Sequence, residues 1–341
     1  MNPKTAIVIL NWNGKKFLEK FLPTLVQHTN PELAEIWVID NDSKDDSVSF
    51  LENNFSSIKL ILLDKNYGFT GGYNKGLAQI KSKYYLLLNS DIEVPRNWLE
   101  PLIDLMESNE SIAVCGPKLL SYHDKSMFEY AGASGGFIDK LGYPFCRGRI
   151  FETCEKDQGQ YDKLSDCFWI SGAALMIRSE IFNKIEGFDD DFFAHQEEID
   201  LCWRVQNLGY RIVCEPKSYV YHVGGGTLPK SNPFKTFLNF RNNLFLIKKN
   251  LPKKSGIKVL FIRFILDHVA AWRMIFQGNI KEYFGVVKAW LHFWFKSNSI
   301  RKKRKLLKSK STKYLNSLYN RSIVFDYYLN KKKSFKDLKI D

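Results

Sequence analysis

Thr5-Ala6-Ile7-Val8-Ile9-Leu10, followed by Asn11-Trp12-Asn13-Gly14, is a continuous apolar run that stops on a polar turn, after which Phe17, Leu18, Phe21, Leu22 and Leu25 recur at helical spacing. Strand, turn, helix is the expectation. The unit repeats: IWVID (36–40) runs into Asn41-Asp42-Ser43, with Ser43 expected to cap a helix through Leu51. KLILL (59–63) leads through a glycine-rich turn to a helix around residues 74–80, and YYLLL (84–88) ends on Asn89-Ser90-Asp91. Apolar strands alternating with helices predict an α/β fold, Rossmann-like, with a mostly parallel sheet covered by helices on both faces. Ligands of such sheets bind at the carboxyl ends of the strands.

Outward from this core, composition sets bounds. The 341 residues are 45% hydrophobic and 15% aromatic, which excludes a disordered chain. The formal charge of +13 alone suggests nucleic acid or an anionic membrane as partner. Its distribution alters that suggestion: residues 1–225 hold 23 Lys+Arg against 32 Asp+Glu, net −9, whereas residues 226–341 hold 27 against 5, net +22. Six cysteines without a CxxC pair fit a reduced compartment rather than zinc. The N-terminal apolar run is too short for a signal-peptide core, and Arg263, Asp267, Arg273 and Lys288 interrupt the most apolar stretch, so no spanning helix is expected.

Three strands end on Asn11, on Asp40-Asn41-Asp42 and on Asn89-Ser90-Asp91, which should gather carboxylates and amides at one sheet edge. Any one of them alone reads equally well as a turn or cap residue. Asn66 to Gly76 (NYGFTGGYNKG) fits either a backbone cradle for phosphate or a tight turn against the sheet. Asp91 suits a Mg2+ or Mn2+ ion that takes few protein ligands. Glu197-Glu198-Ile199-Asp200 opens a helix with apolar positions at Ile199, Leu201, Cys202, Val205 and Leu208, ended by Gly209. An Asp200–Arg204 pair would fix its face and leave Glu198 as a base. Ser179 should cap the short helix before it. His222, ending a strand before three glycines, is a candidate ligand for the same class of metal.

IVILNWNG, VIDNDSKD, NYGFTGGYNKG, LLLNSD, WISGAALMIR, EGFDDDFFAHQEEIDLCWR and YHVGGGT, in this order, resemble the inverting nucleotide-sugar transferases of glycosyltransferase family 2, of GT-A fold, and among them bacterial rhamnosyltransferase-like members that build cell-surface polysaccharides. The resemblance covers about residues 4–245, implying a catalytic domain over 1–245 and a helical, basic extension over 246–341. It implies that Asn11 and Asp40 lie beside base and ribose, and that Asn66, Gly71, Asn74, Asn89 and Asp91 line the nucleotide-sugar site. Asp91, joined by His222, would carry Mg2+ or Mn2+. Trp169, Gly172 and Arg204 are expected to border the acceptor, and Glu197, Glu198 and Asp200 to form the catalytic set, with Glu198 as general base. Two departures stand out: the family's DxD motif is Asn-Ser-Asp here, and Glu198 replaces the usual Asp of the base position.

The expected partners are a nucleoside diphosphate-sugar, a saccharide or lipid-linked saccharide acceptor and an anionic membrane surface, on the cytoplasmic face of a bacterial plasma membrane, with no nucleic acid. After Pro233, Arg241-Asn242 is expected in a helix near the active-site edge. GIKVLFIRFILDHVAAWRMIF and KEYFGVVKAWLHFWF read as amphipathic helices that either lie on the membrane or pack on the catalytic domain. A sugar nucleotidyltransferase would need an arginine-rich loop after the first strand, where Asn11-Trp12-Asn13-Gly14 stands. A nucleic-acid-binding protein would interleave its aromatics with basic residues on an open sheet, whereas these fall at helical spacing.

Overall fold

A computed structural model describes residues 3–224, 232–306, 315 and 317–340. Gly225, Gly226 and Thr227 of the YHVGGGT stretch and residues 307–314 of the basic tail lie outside the described residues. The first half alternates as expected: β1 (Thr5–Asn11), α1 (Lys15–Gln27), β2 (Ala34–Asp40), α2 (Ser47–Asn54), β3 (Lys59–Leu62), α3 (Gly68–Leu77), β4 (Tyr84–Leu88) and β5 (Ile92–Glu93). Then follow α4 (Glu100–Ser108), β6 (Ile112–Ser121), the short strands β7 (Gly136–Asp139), β8 (Pro144–Cys146), β9 (Arg149–Ile150), β10 (Thr153–Cys154) and β11 (Ser165–Asp166), β12 (Ala174–Arg178), α5 (Ser179–Lys184), α6 (Glu197–Asn207) and β13 (Arg211–His222). The remainder is α7 (Pro233–Asn250), α8 (Lys253–Phe276), α9 (Ile280–Leu306), β14 (Leu318–Tyr319) and α10 (Ile323–Tyr328).

The main sheet runs β11-β13-β6-β12-β4-β1-β2-β3, with β5 on β13. β3, β2, β1 and β4 are parallel, as are β6 and β13; β12 is inserted antiparallel between β4 and β6. Every residue of β4 and β12 is buried, which explains the apolar runs YYLLL and ALMI; Arg178, closing β12, gives its guanidinium to the carbonyls of Met106 and Ile112. Because β12 runs backwards, its start and not its end sits at the edge where β1, β2 and β4 finish. A second sheet, β10-β9-β8-β7-β14, takes its last strand from the C-terminal region. The domain boundary expected at residue 245 thus falls inside α7.

Three local expectations are corrected. The glycines from Gly68 to Gly76 are not a turn but the body of α3. A β-carbon on Gly72 would lie 2.7 Å from Leu10 Cδ1, and one on Gly76 2.1 Å from Ile39 Cδ1, so their absence lets α3 sit directly on β1 and β2. α2 starts only at Ser47 after Asp46, so Ser43 caps nothing. Ser179 is the first residue inside α5 and its hydroxyl donates to Ser82 O instead. Leu208 is exposed at the end of α6, while Gly209 takes the left-handed conformation (φ 94°) that stops it.

In an exposed helix, Gly→Ala gains up to about 1 kcal/mol. At Gly76 the sign should reverse: Gly76→Ala drives a methyl into buried Ile39 and should destabilise by about 1–3 kcal/mol. Denaturant unfolding measures it; a stabilised variant would contradict this packing.

Candidate functional site

The ends of β1, β2 and β4 converge as the parallel register requires. Asn11 Nδ2 donates to Asp40 Oδ2 at 2.9 Å and to Ser43 Oγ at 3.1 Å, and Asp40 Oδ1 accepts from the Ser43 N–H. Ser43 therefore holds Asp40 in place, and Asn11 Oδ1 is left buried without a partner. A β-carbon on Gly14 would stand 2.4 Å from Asn11 Oδ1 and 3.8 Å from Ser90 Oγ, so a glycine here lets the first turn meet the turn after β4.

The reading of α3 as a phosphate cradle is not supported, because its N-terminal donors are spent within the protein. Gly68 N–H goes to Asn66 Oδ1, Phe69 and Thr70 N–H go to Phe193 O, and Asn41 clamps the turn through Tyr67 N–H and Gly68 O. Asn74, expected in the sugar-nucleotide pocket, is likewise committed: it donates to Phe188 O and Asp190 Oδ1 and accepts from Phe188 N–H. Gly71 lies beside it, against Tyr67 and Asp190.

Beyond β4, Asp91 meets His222, which pairing of β13 with β5 brings alongside. His222 Nε2 lies 3.2 Å from Asp91 Oδ1 and its Nδ1 lies 3.4 Å from Glu129 Oε2. Burial alone would lower the imidazole, but the two carboxylates outweigh it and raise its pKa to about 10. Glu129 carried no sequence signal, since it sits in an irregular segment far from any strand end. Among the described residues no three acidic, His or Cys side chains form a ready metal cluster; Asp91 and Glu129 face opposite nitrogens of one ring and do not converge. Asp91 Oδ1 and His222 Nε2, however, are spaced as neighbouring ligands of one hexacoordinate ion, and both are oxygen or imidazole donors suited to Mg2+ or Mn2+.

The antiparallel β12 brings Ser171-Gly172-Ala173 to the same edge, where Ala173 O accepts from Asn89 N–H. A β-carbon on Gly172 would be 3.9 Å from Glu198 Cβ and 3.5 Å from the Phe69 ring, so Glu198, at the start of α6, lies beside Gly172. Glu198 is half-buried and its Oε2 has no hydrogen-bond partner. Burial raises its carboxyl to about 7, against the pull of N–H groups at the helix start. Glu197 is buried more deeply; burial, then the charge of Glu198, hold it well above the ordinary range. Of the two, Glu198 is the one poised to take up a proton near neutral pH.

Three expected site residues lie elsewhere. Trp169 is 3% exposed, stacked on Gly136 with its indole N–H given to Phe137 O, so it fills the seam between the sheets and cannot border an acceptor. Arg204 is buried, bound to Asp200 Oδ2 at 2.8 Å and to Ile185 O. Asp200 is wholly buried and its oxygens are taken by Arg204, Lys249 and Asn250, so it positions α6 and touches no substrate.

The loop before Glu197 is strained: Phe193, His195 and Gln196 all have φ between 65° and 69°, rare for residues with side chains. α7 holds it. Buried Asn242 Nδ2 donates to the carbonyls of Phe192, Ala194 and His195, and Arg241 Nη2 to those of Asp191 and Phe192. Next to them an open cleft of about 350 Å³ is lined by Asp191, Phe193, Phe234, Arg241, His292 and Lys296, among others.

The family model for glycosyl transferase family 2 matches residues 6–185, more than half of the chain. The chain belongs to this family. It is 21% identical over 285 residues (81% of this chain, 86% of the relative) to the low-salt glycan biosynthesis hexosyltransferase of Haloferax volcanii. It is 23% identical over 238 residues (65% and 76%) to the N-acetylglucosaminyl-diphospho-decaprenol L-rhamnosyltransferase of Mycobacterium tuberculosis. The crystal structure of GalNAc-T7 with UDP, GalNAc and Mn2+ superposes with a TM-score of 0.63 at 15% identity, over 95% of this chain and 57% of that one. The family member thus has the GT-A fold, with a helical C-terminal region.

Asn242→Ala should release the strained loop. Phe192 O keeps Arg241, but the carbonyls of Ala194 and His195 lose their donor, so unfolding should become easier by about 2 kcal/mol, and turnover should fall further than donor affinity. Chemical denaturation and donor titration separate the two effects; unaltered stability would show that Asn242 does not hold the loop.

Proposed function

We propose that this chain is an inverting glycosyltransferase that moves a sugar from a nucleoside diphosphate-sugar to a hydroxyl of a saccharide or lipid-linked saccharide in bacterial cell-surface polysaccharide synthesis. An activated rhamnose such as dTDP-rhamnose is the first donor to test. The observation that carries the reading is the meeting, at one sheet edge, of the Asn11–Asp40 pair, the Asp91–His222 pair and an unpartnered Glu198 oxygen beside Gly172.

Asp40, its two oxygens held by Asn11 and Ser43, would accept from the nucleoside through a remaining lone pair. A divalent cation, Mg2+ or Mn2+, held by Asp91 with His222, would neutralise charge on the departing diphosphate. Glu198 takes the proton from the acceptor hydroxyl as its oxygen bonds to the anomeric carbon from the face opposite the leaving diphosphate. The C–O bond to the diphosphate breaks in the same displacement and the configuration inverts. Buried surroundings make Glu198 a stronger base than an exposed carboxylate. The acceptor would be met at the cytoplasmic face of the plasma membrane, whose anionic surface the net +22 of residues 226–341 suits.

A screen of nucleoside diphosphate-sugars for release of the diphosphate should find one that responds to Mg2+ or Mn2+. Asp91→Asn should lose most of that metal response, and no release from any donor would remove the reading. Turnover should also rise with pH through about 7 and then level, because Glu198 works only when deprotonated. Glu198→Gln should lose about 10²- to 10⁴-fold in rate together with that acid limb, while still binding donor; a variant that keeps the limb would move the base elsewhere.

A further inference from the structure

α8 and α9 each carry two apolar stripes. On α8 the inward stripe includes Val259 and Ala271, together with the buried Arg263–Asp267 pair. The outward one is Ile257, Phe261, Ile265, Val269, Trp272 and Phe276, all exposed and spaced three or four residues apart. On α9, Val286, Ala289, Trp290 and Phe293 are buried, while Ile280, Phe284, Leu291 and Phe295 are exposed. Phe276 and Phe295 are each 86% exposed. The outward stripes join across the hairpin: Phe264 stacks on Trp294, with ring centroids 6.3 Å apart, and Trp272 meets Tyr283 at 5.8 Å. A surface of this extent is far beyond the scattered exposed apolar residues of an ordinary soluble face.

Charge says what covers it. Lys254, Lys258, Arg273, Lys281, Lys288 and Lys296 are exposed on the same two helices, and Arg301 and Lys302 extend the series. The only acids from Lys253 to Lys305 are Asp267, which is buried, and Glu282, which is half-buried. Two copies of such a face would bring like charges together, whereas an anionic bilayer accepts the rings among its acyl chains and the cations among its headgroups. Among the described residues no helix is long and apolar enough to cross a membrane.

We infer that the α8–α9 hairpin is a monotopic membrane dock, lying in the plane of an anionic lipid surface with Phe261, Trp272, Phe276, Trp294 and Phe295 inserted. The purpose of the dock, delivery of a lipid-linked acceptor, rests on the function proposed above; the docking itself does not. The inward side of α9 packs on α7, and Lys303 of α9 pairs with Asp189 and Asp191 at the start of the base loop. One helix layer therefore separates the lipid surface from the residues that hold Glu198.

The test is flotation of the full chain with vesicles of equal parts phosphatidylglycerol and phosphatidylcholine, and with phosphatidylcholine alone. Wild type should float with the anionic vesicles and shift its tryptophan emission to the blue. Phe276→Ser/Phe295→Ser should partition at least about tenfold less, the equivalent of one such ring kept in water. Leu62→Ser, exposed on the edge strand β3 of the main sheet, should float like wild type. No flotation, or equal flotation of the double variant, overturns the dock. So does a dimer in sedimentation that the double variant splits, which would make the face an interface between copies. Diphosphate release from a soluble donor, measured on the same preparations, should be unchanged in the double variant. Its absence from every preparation while flotation holds would remove the proposed function and leave the dock standing.

Discussion

Asp200 is a charged group with no solvent exposure, and the catalytic edge is arranged around its compensation. Burial pushes its carboxyl upward, yet the cations of Lys249 and Arg204 overcome this and keep it below the ordinary range. Removing one partner of such a cluster typically costs about 3–5 kcal/mol, so α6 and the end of α7 are not free to separate. Successive residues of a helix are turned by about 100°, which sets Glu198 roughly opposite Asp200 on α6. Locking Asp200 toward α7 therefore turns Glu198 toward Gly172. The middle of α7 meanwhile grips the strained loop through Asn242 and Arg241. A single helix thus sets both the rotation of α6 and the entry of the chain into it, and a cut at residue 245 would divide these two tasks.

What could be read from the residues in advance follows from the range of the forces involved. Strands β1, β2 and β4 announce themselves by continuous apolar runs, and once they are parallel neighbours the gathering of Asn11, Asp40 and Asp91 at one edge is forced. The Asp200–Arg204 pair is legible because helical spacing fixes it locally. Ser43 and Ser179 have the composition of caps, but nearby acceptors compete for their hydroxyls and backbone. The glycines of α3 look like a turn because local propensity disfavours helix there; close packing against Leu10 and Ile39 overrides it, a tertiary effect with no local trace. Glu129 is invisible for the same reason, acting on a partner about 95 residues away, and Asn242, although expected in a helix near this edge, gives no local sign of the loop about 50 residues before it that it holds. Trp169 looks accessible beside Gly172 only until the antiparallel direction of β12 and the second sheet behind it are known.

The extension illustrates a different limit. A helix that is apolar on two opposite faces has little amphipathic signal, because the two stripes cancel in any single direction. α8 and α9 pack on the domain with one stripe and leave the other bare, so the two readings of the basic region, core-packing helices or a membrane surface, are not exclusive. Nor is the +22 of residues 226–341 spread indifferently. Lys249 and Lys303 are spent on Asp189, Asp191 and Asp200, neutralising acids of the catalytic half, while Lys254, Lys258, Lys281 and Lys302 stay exposed.

This division of charge bears on Glu198, the proposed base. Lys249 and Arg204 lie close to α6, and a cation turned toward Glu198 would hold its carboxyl low and make it a poor proton acceptor. Asp200 and Asp189 absorb those cations on the far side of the helix. Glu198 is left beside the Phe69 ring with no hydrogen-bond partner for its buried Oε2. The buried ion cluster that fixes the helix thus also keeps positive charge away from Glu198, so that one arrangement of acids and lysines supplies both the rigidity of α6 and the basicity of the carboxylate proposed as base.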